Sequence, residues 1–145
     1  MSEQTTTTED VQAQSLALYR RFADGLCTGH LDVISELLAP DIQLPSIADL
    51  ADPTPAGLKQ ANEGFRAGFP DLRVTIEQIF AFGEWVAARV RWEGTNTGEF
   101  MGRPPTGKTV SMTEIEIVRC RNGRIVDLRQ VADVASLMSQ LEGEQ

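Results

Sequence analysis

The chain has 145 residues, a hydrophobic share of 41% and a formal net charge of −8, which fits one globular domain with a core of its own. That charge excludes nucleic acid, whose phosphates need clustered Lys and Arg, and speaks against docking on anionic membranes. No apolar run approaches the roughly 20 residues a membrane span needs, and "MSEQTTTTED" lacks the basic and apolar regions of a secretory signal, so a cytoplasmic location is expected.

Residues 1–9 are polar and Thr-rich, the composition of a disordered tail, and a single domain is expected over 10–145. From Asp10 the pattern is helical, with Val11, Leu18, Phe22 and Leu26 on one face and Leu16, Tyr19 and Ala23 beside them. "TGHLDVISELLAPD" predicts a short second helix stopped by Pro40. "DIQLPSIADLADPTPAG" reads as a loop around a short strand at Ile42–Leu44. A third helix follows from Pro55 to Ala67, burying Leu58, Ala61 and Phe65.

The second half changes character. "LRVTIEQIFAF" and "EWVAARVRWEGT" are strand-like runs about Gly83-Glu84. "NTGEFMGRPPTGK" is a Gly/Pro-rich connection; it lacks the spacing of a P-loop. "TVSMTEIEIVRCR" and "RIVDLRQVAD" form a second hairpin around Asn122-Gly123, the strongest short-range turn dipeptide. "DVASLMSQLEG" closes the chain as a helix. Helices first and four antiparallel strands after them make an α+β plan. A strongly bent sheet with helices across one face is a cone, to be filled by side chains or by a ligand.

Cys27, Cys120 and the lone His30 are scattered and make no metal spacing. There is no G-x-S-x-G elbow. What remains is period-two polarity on the strands. Arg89, Arg91 and Glu93 share one face of their strand and Val86, Ala88, Val90 and Trp92 the other. Met112, Glu114 and Glu116 oppose Ser111, Thr113, Ile115 and Ile117. Leu128, Gln130 and Ala132 alternate with Asp127, Arg129 and Val131. Alternation alone fits a solvated polar face, as antiparallel sheets usually have. The opposite reading reverses the sides, with the polar row lining a pocket and the apolar row buried in a dimer.

Longer blocks carry a resemblance. "LYRRFADGLCTGHLDVISELLAPDI", "GFRAGFPDLRVTIEQIFAFGEWVAARVRWEGTNTGEFMGRPPTGKTV" and "VRCRNGRIVDLRQVADVASLMSQLEG", together nearly the whole chain, resemble the SnoaL-like polyketide cyclases of the NTF2-like superfamily. The resemblance implies an NTF2-like cone, a strongly curved antiparallel sheet with helices over its concave face enclosing an apolar cavity. It also implies a homodimer formed through the outer sheet face, and a polyketide-like small molecule as substrate, with no cofactor, in natural-product or antibiotic biosynthesis. Glu114, Glu116 and Gln130 fall where family members look inward, and Arg89 and Arg91 do so by similarity to the epoxide-hydrolase branch.

Departures from the family pattern bear on the reaction. Aldol-type members use an Asp on the last strand and a His on the one before it; Gln130 and Glu116 stand there in this chain. Asn96 stands where the family often has His, and Arg129 where it often has Trp. A glutamine cannot transfer a proton as a carboxylate does. The expected reaction is therefore a ring closure driven by folding a flexible intermediate in the cavity, for which Gln130 in place of the acid makes a pericyclic [4+2], Diels–Alder-type step plausible. Glu116, Glu114 and Gln130 are the candidate catalytic residues; Tyr19, Arg89, Arg91, Trp92, Met112 and Leu128 are the candidate substrate-binding ones. The alternatives are an aldol-type cyclase or isomerase using Glu116 or Glu114, a non-catalytic ligand-binding module, and an epoxide hydrolase or hydroxylase, disfavoured because Arg91 and Gln130 stand where that branch has its two carboxylates.

Overall fold

The computed structural model describes residues 7–143. Helix α1 (Thr8–Thr28) starts two residues before the expected Asp10, because Thr7 and Asp10 form a reciprocal capping box that satisfies the first amides. Residues 1–6 of the expected tail lie outside the described residues. The helix ends at Gly29, whose φ of 84° gives the left-handed cap. Arg66 donates to the last carbonyls, Leu26 O at 2.5 Å and Cys27 O at 2.6 Å. Helix α2 (Val33–Leu37) buries Val33, Ile34 and Leu37.

The strand expected at Ile42–Leu44 does not form. Both side chains are buried, but the Leu44 amide donates to Pro53 O within the loop at 3.0 Å, and a 3₁₀ turn follows at Pro45–Ile47. Pro45 has no amide for a ladder, so the segment folds on itself. Helix α3 (Pro55–Gly68) is capped by Thr54 and opens on a proline, the residue suited to a first turn.

Four strands follow, β1 (Arg73–Phe82), β2 (Trp85–Thr95), β3 (Thr109–Arg121) and β4 (Arg124–Ala132), then helix α4 (Val134–Glu142) capped by Asp133. The strands pair antiparallel in chain order as one unclosed sheet. Asn122 and Gly123 both have positive φ, as the tight turn between β3 and β4 requires. The register shifts at Ile76/Gln78 in β1 and at Arg119/Cys120 in β3. Such irregularities bend a strand and add twist, which curves the sheet around the helices. The α+β architecture read from the sequence is the one observed.

The core lies between helices and sheet. Tyr19 and Phe22 of α1, Ile34 of α2 and Leu58 of α3 are buried with Val86, Val90, Val118 and Leu128 of the strands. On β3 the alternation is strict from Val110 to Cys120, even-numbered residues buried and Thr113, Ile115 and Ile117 exposed. Glu114 and Glu116 belong to the buried row.

Candidate active site

A cavity of about 390 Å³ opens between the concave sheet face and the helices. Phe22 and Leu26 of α1 form one wall, Ile47 and Leu50 with Ser46 and Asp49 the rim, and Leu58, Ala61, Asn62 and Phe65 of α3 a second wall. The sheet supplies the floor: Trp92, Met112, Glu114, Glu116 and Gln130. Register explains the grouping. Trp92 pairs with Met112, and Glu116 with Gln130. Val90 and Ala88, directly opposite Glu114 and Glu116, offer no polar group, so the glutamates find partners elsewhere.

Those partners are specific. Tyr19 Oη donates to Glu116 Oε1 at 2.5 Å, within the range of a hydrogen bond to an ionised carboxylate. Trp92 Nε1 donates to Glu114 Oε1 at 3.2 Å, and Gln130 Nε2 to Glu114 Oε2 at 3.4 Å. Glu114 and Glu116 are only 3% and 4% exposed and stand two residues apart on the buried row of β3. Burial, then the neighbouring Glu116 charge, push the Glu114 carboxyl well above the usual carboxylate range. Glu116 is raised by burial too, but the Tyr19 hydroxyl and Glu114 both favour its charged form. Burial, with the Glu116 charge behind it, holds the Tyr19 phenol far above its ordinary value, so Tyr19 remains a donor. Both carboxyls therefore hold a proton to higher pH than an exposed glutamate does, Glu114 with the Glu116 charge added to burial and Glu116 against its Tyr19 hydrogen bond.

The sequence matches the SnoaL-like polyketide cyclase family over residues 16–141. The chain belongs to the SnoaL-like polyketide cyclases. It is 29% identical over 116 residues to the nogalonic acid methyl ester cyclase of Streptomyces nogalater, covering 79% of this chain and 87% of that protein. It is 24% identical over 131 residues to the aklanonic acid methyl ester cyclase AcmA of Streptomyces galilaeus, covering 89% and 91%. Among solved structures, IdmH, a proposed polyketide cyclase of Streptomyces antibioticus, superposes with a TM-score of 0.77 at 34% identity over 89% of this chain and 99% of that one. AclR, a proposed hydroxylase of Streptomyces galilaeus, gives 0.81 at 29% identity, covering 92% and 99%. The fold neighbours agree with an NTF2-like architecture.

For this SnoaL-like chain, Glu114, Glu116, Gln130, Trp92 and Met112 meet at one cavity. Tyr19 is fully buried and holds Glu116 from within the core rather than lining the space. Leu128 is also fully buried, opposite Val118 on β3, and packs in the core away from the cavity lining. Arg89 and Arg91 correct the expectation that they look inward. Val90 and Trp92 occupy the concave face of β2, so strand parity sends both arginines to the outer face. There Arg91 pairs with Glu77 at 3.1 Å and Glu93 at 3.3 Å, and Arg89 approaches Glu77 at 3.9 Å. Water solvates those charges outside; inside, each would need a buried counter-ion.

Three polar lining residues were not read from the sequence. Asn62 is buried on α3, where it follows Leu58 at one turn and precedes Phe65 on the same stripe. Its Nδ2 donates to Leu58 O at 3.0 Å. A polar residue on an apolar helical stripe was the available signal. Ser46 and Asp49 come from the loop, which has no periodicity to read. Ser46 Oγ accepts the Gln130 backbone amide at 3.1 Å and so ties the rim to β4.

Proposed function

We propose that the protein closes a carbon–carbon ring in a flexible polyketide intermediate without a cofactor, by an intramolecular [4+2] step within the cavity. The observation that carries the reading is the buried Glu114 carboxyl, to which the Gln130 amide donates at 3.4 Å, in a site whose remaining walls are mainly apolar; burial favours the protonated, donating form of that carboxyl. A carboxylic acid O–H and an amide N–H side by side can both donate to a carbonyl conjugated with the reacting alkene, drawing electron density from it. The apolar walls hold the two ends of the chain together, which supplies several kcal/mol in favourable intramolecular reactions, up to about 7–11. Among the described residues the cavity lining offers no Lys, Arg or His to pair with a substrate carboxylate, and its ionisable groups, Asp49, Glu114 and Glu116, are all acidic. A free acid is ill-matched to such a site, and an esterified substrate suits it, as the names of the methyl ester cyclases to which the chain is similar also indicate.

A second reading rests on Glu116. Its carboxylate, held by Tyr19 beside the Glu114 acid, could take a proton next to a carbonyl while Glu114 protonates the oxygen, an aldol-type closure. Glu116→Gln separates the two. The [4+2] reading expects turnover of a linear polyketide ester within about tenfold of the parent enzyme. A loss of about a hundredfold or more with folding intact sinks it in favour of proton transfer. Product formed as fast without protein as with it removes any catalytic role and leaves a ligand-binding module.

The assembly belongs to the same proposal. The outer sheet face exposes Phe80, Phe82, Trp85, Ile115 and Ile117, an apolar patch of the kind that marks an interface. A second copy of the chain, packed sheet to sheet, would cover it. No described helix is long and apolar enough to cross a membrane, and a cytoplasmic site of action remains part of the proposal.

A further inference from the structure

We infer that a second, apolar chamber beside the polar cavity seats the hydrocarbon arm of the substrate, so that the ligand is an amphipathic chain with its carbonyl at Glu114 and its alkyl or polyene end under the 96–108 loop. The inference rests on the polar cavity being the substrate site and extends it.

The chamber has a volume of about 340 Å³ and shares Leu50, Ala61, Phe65 and Val134 with the polar cavity, so the two are neighbouring rooms of one space. Each alone lies near the lower end of the roughly 300–1,000 Å³ found for ligand pockets. Beyond the shared residues its walls are Ala51, Gly64, Phe100, Met101 and Leu137, with Gln60 the single polar side chain. Apart from the Gln60 amide, such a wall offers burial to hydrocarbon and no side-chain partner to an oxygen.

The chamber is built, not a slack gap. Phe100 packs its ring 5.1 Å from both Phe65 and Phe69. The loop that carries Phe100 is pinned by the buried Asn96, whose Nδ2 donates to Gly68 O and Gly98 O while its Oδ1 accepts from the Thr106 amide and hydroxyl. Met101 has φ of 51° and Gly102 of 74°, between the mutually bonded Phe100 and Arg103. That two-residue turn favours Asn or Gly at its first position, yet the chain holds a large apolar side chain there, 58% exposed, at the edge of the chamber. Local preference is most often broken where a site requires it. A substrate arm passing beneath Met101 would bury it.

Gly64 gives a test that leaves the fold intact. A Cβ at this α3 position meets nothing within 4 Å, and the residue lines only the second chamber. The probes are linear 2-alkanones from four to twelve carbons, with the protein carrying ¹³C-methyl methionine. Met112 reports the polar cavity and Met101 the second chamber. Short ketones should shift Met112 alone, and longer ones both, with affinity rising about fourfold per methylene until the chamber fills. Gly64→Leu should abolish the Met101 shift and the length dependence, while Gly64→Ala keeps both. Met112 moving at every chain length with Met101 silent, or Gly64→Leu binding long ketones as the parent does, would overturn the chamber and leave the polar cavity standing. Silence at both methionines overturns both sites. Shifts at both with no turnover of any polyketide ester sustain the chamber and sink the cyclisation reading.

Discussion

The two rows of β3 carry opposite chemistry, and each faces the side where an antiparallel sheet would ordinarily put the other. The inward row sets Glu114 and Glu116 among Val110, Met112, Val118 and Cys120, all buried. The outward row sets Ile115 and Ile117 in solvent, 53% and 44% exposed. A strand optimised only for the stability of one isolated chain would exchange them, because buried carboxylates are costly and exposed isoleucines gain nothing. The difference supports both halves of the proposal, a ligand on the inner face and a second copy of the chain on the outer one.

The largest expected effect comes from making the inner row ordinary. Glu114→Leu removes the donor proposed to polarise the substrate carbonyl and should lower turnover of a linear polyketide ester about 10²–10³-fold. Glu114→Gln keeps a neutral donor and should lose less than about tenfold. Near-ultraviolet circular dichroism of both variants shows whether the core is intact. If Glu114→Leu turns over within tenfold of the parent, the inner row is not the chemical one.

Making the outer row ordinary should have a smaller effect and a different readout. Ile117→Lys places a charge in the middle of the apolar patch and should weaken a sheet-to-sheet dimer by about 2 kcal/mol per substituted side chain, the scale of an interface hot spot. Sedimentation velocity across a concentration series measures it. A parent protein that is monomeric throughout would break this half of the comparison.

How far this was visible beforehand differs along the chain. The hairpins were legible because Gly83-Glu84 and Asn122-Gly123 are local turn signals, and α3 because Thr54 and Pro55 mark its start. Counting across the two-residue turn puts Arg129 opposite Glu116; the register shift at Arg119/Cys120 moves the partner to Gln130, and no local signal announces that shift. Which face of β3 is inside could not follow from alternation, which is symmetric, and family resemblance supplied the choice. The same resemblance misplaced Arg89 and Arg91, although strand parity already put them opposite Val90 and Trp92. Ile42–Leu44 looked like a strand because its apolar residues alternate; they are buried as expected, but no neighbouring strand edge takes their backbone. Ser46 and Asp49 reach the site only through tertiary folding of an irregular loop.

The smallest expected effect tests the inner row through stability alone, without a substrate. Both glutamates have folded-state pKa values raised above their unfolded ones, so the folded chain binds more protons than the unfolded chain above the ordinary carboxylate range. Their contribution is fully present below about pH 4.3, the unfolded glutamate value, and is lost as pH rises through the folded values. Asp71 and Glu84 are shifted the other way, by the Thr95 amide and by Arg121 with Arg119 respectively, and their effects fall at acid pH, outside a comparison of pH 5 with pH 8. Urea unfolding should therefore show the parent less stable at pH 8 than at pH 5. Glu114→Gln should reduce that difference, since it removes one of the two raised groups and the repulsion it exerts on the other. Tyr19→Phe should enlarge it, because the Tyr19 hydroxyl favours the ionised form of Glu116, and its loss at pH 8 leaves a buried charge short of a donor at a cost of about 1–3 kcal/mol. A parent stability that is flat or rises between pH 5 and pH 8 would mean that the inner row is solvated after all, and the contrast between the two faces of β3 would reduce to its exposed isoleucines.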